Sequence, residues 1–150
     1  MMQRPSRPLP VPTPETEEFW QACKEGRFIY RHCRHCDKSY HFPRSICPTC
    51  WRSDVEWRTA SGRGHIYGYA IHHRARPWIA APYATVMVTL VEGPRVLMLW
   101  DGDNPTPGDI TVGAPVEIVF EKIDDDVTLY RARPVSVDAA APVSVAGVSA

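Results

Sequence analysis

The sequence predicts a mainly β protein: a short N-terminal helix, a four-cysteine metal ribbon, and a small barrel of five strands. Three observations carry this. Two Cys-x-x-Cys pairs, Cys33–Cys36 and Cys47–Cys50, are separated by ten residues. Thr13-Pro14-Glu15 opens a segment whose apolar residues Phe19, Trp20 and Cys23 share one helical face. Beyond Gly64, five short runs of β-branched and aromatic residues alternate with turn residues, and no helical period interrupts them.

Residues 1–12 contain Pro5, Pro8, Pro10 and Pro12, which exclude a helix and predict an extended arm. The helix is expected over 13–26, with Thr13 as N-cap, Pro14 in the first helical position, acidic residues in the first turn and Gly26 as C-cap. A helix this short must dock on something. Phe19 and Trp20 are candidates for covering the ribbon or for contacting a partner, internal packing being the commoner use of such residues.

The ribbon is expected over 27–60. Arg27–His32 and Lys38–Phe42 read as strands flanking the first knuckle, and Val55–Trp57 as a short strand leaving the ribbon. Two Cys-x-x-Cys pairs at this spacing can give four thiolates to one tetrahedral ion, and zinc suits four sulfur ligands. The predicted ligands are Cys33, Cys36, Cys47 and Cys50. Four thiolates close the coordination shell, so the metal is expected to be structural, part of the folding energy of a ribbon too small to fold alone. His32, His35 and His41 are possible competing ligands, more simply exposed histidines, and Cys23 reads as a small apolar helix residue.

Ser61–Gly64 reads as a turn rather than a phosphate-cradling loop, because a strand and not a helix follows. The barrel is expected over 61–135, with strands His65–His72, Tyr83–Val91, Arg95–Trp100, Val116–Glu121 and Thr128–Arg131. Glu92–Pro94 and Asp124–Asp126 are turns, and Asp101–Gly108 is a longer polar loop. Five antiparallel strands in so short a span suit the OB type of barrel, and Gly64 and Gly68 permit the bend it needs. Residues 136–150 are small and predict a disordered tail.

The chain of 150 residues carries zero formal net charge, unevenly spread. Arg27–Arg76 holds ten basic and three acidic residues, whereas Pro77–Val135 holds four basic and nine acidic. A basic half attracts nucleic acid, a polyanionic ligand or an acidic partner. No apolar run is long enough to span a membrane, and Met1–Pro12 does not read as a secretory signal, so the expected compartment is the cytoplasm, with reduced thiols. The sequence contains neither a Gly-x-Ser-x-Gly elbow nor a His-Glu-x-x-His motif. His72-His73 with Asp101 or Asp103 is the remaining candidate for acid–base chemistry, a His pair near a strand end being more often structural.

These features together resemble a known family. Thr13-Pro14-Glu15 with Phe19-Trp20, Gly26-Arg27-Phe28, the two cysteine pairs, Phe42-Pro43-Arg44, Gly62-x-Gly64-x-Ile66-Tyr67, Pro82-Tyr83, Val86-x-Val88-x-Leu90 and Gly113-x-Pro115-Val116 are similar to the rubredoxin-like zinc-ribbon and OB-fold proteins that accompany acyl-CoA enzymes. The resemblance implies a non-catalytic accessory subunit that stabilises a thiolase, a thiolase-like aldolase or a hot-dog-fold enoyl-CoA hydratase and helps shape its CoA or acyl site. It implies steroid side-chain, aromatic or fatty-acid-type catabolism, with acyl-CoA as ligand of the complex. Some members carry a fused hydratase domain; this chain has no room for one, so a separate partner is expected. In the first barrel loop, Arg74, Arg76 and Trp78, with nearby Tyr83, are the candidate CoA-facing or partner-facing residues: arginines grip phosphates and an aromatic face stacks on adenine. Trp20, Trp51, Trp78 and Trp100 are candidate exposed aromatics that would suit heteromeric assembly. The alternative is a nucleic-acid-binding ribbon and barrel, disfavoured by the acidic barrel half.

Overall fold

The computed structural model describes residues 7–41 and 43–135. The expected tail over 136–150, the first half of the arm and Phe42 lie outside the described residues. Residues 7–12 carry no regular secondary structure. Helix α1 is Glu17–Lys24. It starts later than the Pro14 expectation because residues 13–16 form a turn first. The Thr13 carbonyl accepts from the N–H groups of Thr16 at 2.9 Å and Glu17 at 2.8 Å. Thr13 therefore anchors the entry through its backbone, and its hydroxyl meets the Thr16 hydroxyl instead of capping an N–H. At the other end Gly26, at φ +72°, gives its N–H to Cys23 while Arg27 gives its own to Ala22, the paired bonds of a Schellman stop.

A three-stranded antiparallel sheet forms the ribbon, from β1 (Ile29–Cys33), β2 (Lys38–Tyr40) and β3 (Val55–Thr59), in the order β2-β1-β3. Val55–Trp57 does not leave the ribbon, as the sequence suggested. It pairs with β1 over five residues, Ile29↔Thr59 through Cys33↔Val55, and the Arg31 guanidinium stacks 3.7 Å above the Trp57 ring.

The rest is a closed barrel of β4 (Arg63–His72), β5 (Tyr83–Leu90), β6 (Arg95–Trp100), β7 (Pro115–Lys122) and β8 (Thr128–Pro134), ordered β4-β5-β6-β8-β7. Strict alternation in β5 sends Ala84, Val86, Val88 and Leu90 inward, and β6 does the same with Val96, Met98 and Trp100. Trp100 is thus a core residue, 7% exposed, and not one of the exposed aromatics. A β-bulge between Ile66 and Gly68 bends β4 so that it pairs with β5 along its length and with β7 at its start. Closure is completed by a parallel pairing of β6 with β8, Leu99↔Arg131 and Trp100↔Ala132.

Helix, ribbon and barrel share one core. Phe19 of α1, Phe28 before β1, His41 after β2 and Tyr130 of β8 meet ring to ring, with centroids between 5.1 and 6.1 Å apart. Trp20 stacks on the outer side of Tyr130 at 6.4 Å. The helix is therefore the wedge that fastens ribbon to barrel, which decides the use of Phe19 and Trp20 in favour of internal packing.

Candidate metal centre and ligand cleft

The four cysteines reach one point from two turns. Cys33 ends β1 and Cys36 follows it in the turn to β2; Cys47 and Cys50 lie in the corresponding turn before β3. The residue after each pair, Asp37 and Trp51, has positive φ and reverses the chain behind its knuckle. Cys33 and Cys50 sulfurs stand 3.6 Å apart, as do those of Cys36 and Cys47, and all four lie within 4.8 Å of one another. A tetrahedron with ~2.3 Å metal–sulfur bonds needs sulfurs ~3.8 Å apart, so the donor set fits zinc. The Thr49 N–H points at Cys47 Sγ from 3.4 Å. Desolvation works against ionisation of the Cys47 thiol, but the N–H groups of Cys50 and Thr49 overcome it and draw its pKa down to about 6. Desolvation pushes the Cys36 thiol up to about 12. The fold thus favours a thiolate at Cys47, and protons leave the cysteines when a cation binds.

None of the candidate histidines joins this group. His32 is buried, its Nδ1 3.1 Å from the Ser39 hydroxyl and its Nε2 3.2 Å from Asp37. His35 is exposed, and His41 belongs to the aromatic seam. Cys23 is fully buried, and that burial raises its pKa to about 12, as suits an apolar core residue.

A second feature opens at the barrel end. A cleft of about 510 Å³ is lined by Arg76, Trp78, Tyr83, Trp100, Asp103 and Arg131, among others. Three of the four residues singled out in the first barrel loop and its neighbour are brought together here. Arg74 is not among the lining residues and stands exposed on the same loop. A further arginine on the cleft is Arg131, which sequence reasoning missed because only the β6–β8 closure brings it there; its Nε donates to Glu121 at 2.7 Å. Arg7 of the arm lies over the Trp78 ring at 5.3 Å and 3.6 Å from Glu121, and so ties the arm to the cleft. His72 stacks on Tyr83 at 4.6 Å and its Nε2 lies 3.0 Å from the Thr85 hydroxyl.

Comparison with known proteins agrees with this anatomy. Residues 20–56 match the family model described as the ChsH2 rubredoxin-like zinc ribbon domain, and residues 57–121 the ChsH2 C-terminal OB-fold domain. A DUF35 domain-containing scaffold protein of Methanocaldococcus jannaschii is 34% identical over 71% of this chain and 77% of its own length. One from Pyrococcus furiosus is 31% identical over 81% of this chain and 93% of its own. Among solved structures, a chain of the Ltp2–ChsH2(DUF35) aldolase superposes with a TM-score of 0.72 at 30% identity, covering 83% of this chain and 98% of that one. A DUF35-family protein of unknown function from Sulfolobus solfataricus shares the fold, with a TM-score of 0.59 at 18% identity. The chain therefore belongs to the DUF35 family, and its own four-cysteine ribbon and barrel match the ChsH2 zinc ribbon and OB-fold models.

Proposed function

We propose that this chain is a non-catalytic scaffold subunit that binds a thiolase-like aldolase and completes the acyl-CoA site of the resulting complex. The observation that carries the reading is its likeness, over nearly the whole length of that chain, to a component of the Ltp2–ChsH2(DUF35) aldolase. The curated relatives being scaffold proteins supports it further. Zinc supplies foldedness: a tetrahedral thiolate set holds the two knuckles together and leaves no coordination position for substrate.

The cleft chemistry supports acyl-CoA as the ligand. The Arg76 guanidinium can bind a phosphate through paired N–H donors, with Arg74 adding charge beside it, and the Trp78 and Tyr83 faces can stack on an adenine ring. Asp103, also lining the cleft, disfavours a bare polyanion and favours a ligand with an aromatic base or an amide chain between its charges. Nucleic acid fits poorly, because residues 77–135 carry nine acidic against four basic side chains. We place the complex in cytoplasmic catabolism of steroid side chains, aromatic compounds or fatty-acid-like chains.

The test is to purify the tagged chain from its native lysate, identify stoichiometric partners by mass spectrometry, and assay aldol cleavage of an acyl-CoA by the complex and by each subunit alone. A thiolase-like partner whose activity depends on this chain is the expected result. Titration of acyl-CoA into complexes carrying Arg76→Ala and Trp78→Ala should then show about tenfold weaker binding. A hot-dog hydratase in the eluate would change the reaction class, and recovery of nucleic acid would overturn the scaffold reading.

A further inference from the structure

We infer that the tip of the second zinc knuckle, built on Trp51, anchors this chain to its thiolase-like partner by seating in an apolar pocket rimmed with carboxylates on that subunit. The inference rests on the scaffold reading above and adds to it the surface and the chemistry of the contact.

Both knuckles turn through left-handed backbone, with Asp37 at φ +56° and Trp51 at φ +62°. Aspartate is enriched in that region; a bulky aromatic is an outlier there, and glycine adopts it freely. A tryptophan can offset such strain by packing into a core. Trp51 does not, for it is 79% exposed. Its backbone is nevertheless fixed, because its N–H donates to the Cys47 carbonyl at 3.0 Å inside the metal-clamped turn. A strained, solvent-facing indole on a rigid turn contributes little to this fold, and strain held at a surface points to a contact made elsewhere.

The surroundings define that contact. Trp51 borders a groove of about 320 Å³ with Glu15, Arg44, Ser45, Ile46 and Pro48, and Ile46 is 49% exposed. Among the described residues no ion pair engages Arg44 or Arg52, whereas Arg34 and Arg58 are bound to Glu56. The one carboxylate at the groove, Glu15, accepts a hydrogen bond from the Ser45 hydroxyl at 2.8 Å. Residues 27–60 carry seven basic and three acidic side chains. An exposed Trp with aliphatic neighbours and free arginines is the composition of a binding hot spot, and its complement is apolar at the centre and acidic at the rim. A single strand of nucleic acid is the poorer fit: Ile46 and Pro48 offer no aromatic face to stack a second base, and the acidic excess of residues 77–135 disfavours a phosphate backbone.

Replacing Trp51 by glycine separates the two roles this residue could have. Glycine suits the backbone, so a variant that only relieves strain keeps or raises its melting temperature. We expect Trp51→Gly to retain zinc, melt no lower than wild type, and bind the thiolase-like subunit co-purified with the wild-type chain about thirtyfold more weakly. Trp51→Asn, with a residue that also tolerates left-handed backbone, should behave alike and serves if the glycine variant fails to fold. Equal affinity of a folded Trp51 variant and wild type would overturn the inference and leave the scaffold reading standing. A wild-type chain that binds no thiolase-like subunit would remove the scaffold reading, and the inference with it. Concentration-dependent self-association of the chain alone, or tight binding of an oligothymidine, lost in either case with Trp51→Gly, would assign the tip to a second copy or to nucleic acid and overturn the inference as well.

Discussion

His41 lies stacked on Phe28 at 5.1 Å and edge-on to Phe19 and Tyr130, and this burial lowers its pKa from 6.5 to about 4. The unfolded chain takes up a proton at His41 near pH 6.5, and the folded chain only near pH 4. Between these values the unfolded state holds the extra proton, so the stability present above pH 6.5 is lost as pH falls, by about 1.4 kcal/mol per pH unit. Comparing urea midpoints of wild type and His41→Asn at pH 7 and pH 5 tests this: wild type should lose about 2 kcal/mol more than the variant. At the metal, Cys47→Ser removes a ligand whose ionisation the fold favours. Atomic absorption should find no stoichiometric zinc in that variant, and thermal melting should show a ribbon that no longer folds, since a structural zinc contributes on the order of 10 kcal/mol. A soluble variant of unchanged stability would remove the structural role of the ion.

Strand β4 is tightly hemmed at its start, where it pairs with β5 and β7. Gly64 faces Leu90 of β5 and Val116 of β7, and a Cβ there would stand 2.5 Å from the Thr89 carbonyl oxygen and 2.7 Å from Val88 Cγ1. Backbone cannot yield as a flexible side chain can, so Gly64→Ala should lose about 2–3 kcal/mol in chemical denaturation. Gly68, beside the bulge, has nothing within 4 Å of such a Cβ, and Gly68→Ala should lose under about 1 kcal/mol. Both glycines were legible as bend residues, but only the three-strand junction distinguishes the one that is sterically required. The same holds for β3: its apolar and β-branched residues mark a strand, whereas its membership of the ribbon sheet depends on a pairing with β1 that no local pattern reveals.

At the scale of the molecule, ribbon and barrel are coupled through an aromatic seam. Tyr130 touches Phe19, Trp20, Phe28 and His41, and burial pushes its hydroxyl pKa to about 12. Truncating it should cost about 3–5 kcal/mol and uncouple the two halves. Calorimetry of Tyr130→Ala should resolve separate ribbon and barrel transitions where wild type gives one. A single transition at lower temperature would show that the halves are joined by more than this seam. The charge asymmetry also acts at this scale: residues 27–76 carry a basic excess and 77–135 an acidic one, an uneven distribution that can favour one orientation on a partner.

By itself the sequence determined the zinc ligands' spacing, the strand segments and the barrel type, because each depends on local signals: cysteine pairs, period-two alternation, and turn residues between short runs. Tertiary structure decided what local signals cannot encode. It placed Arg131, and not Arg74, on the cleft beside Arg76, Trp78 and Tyr83; it buried Trp100 and left Trp51 in solvent; and it made His41 a packing residue in place of a candidate ligand. Each of these depends on which distant strand arrives at a given position. That is fixed by barrel closure and by the docking of the helix, where contacts between residues far apart in the chain outweigh the preferences of any one segment.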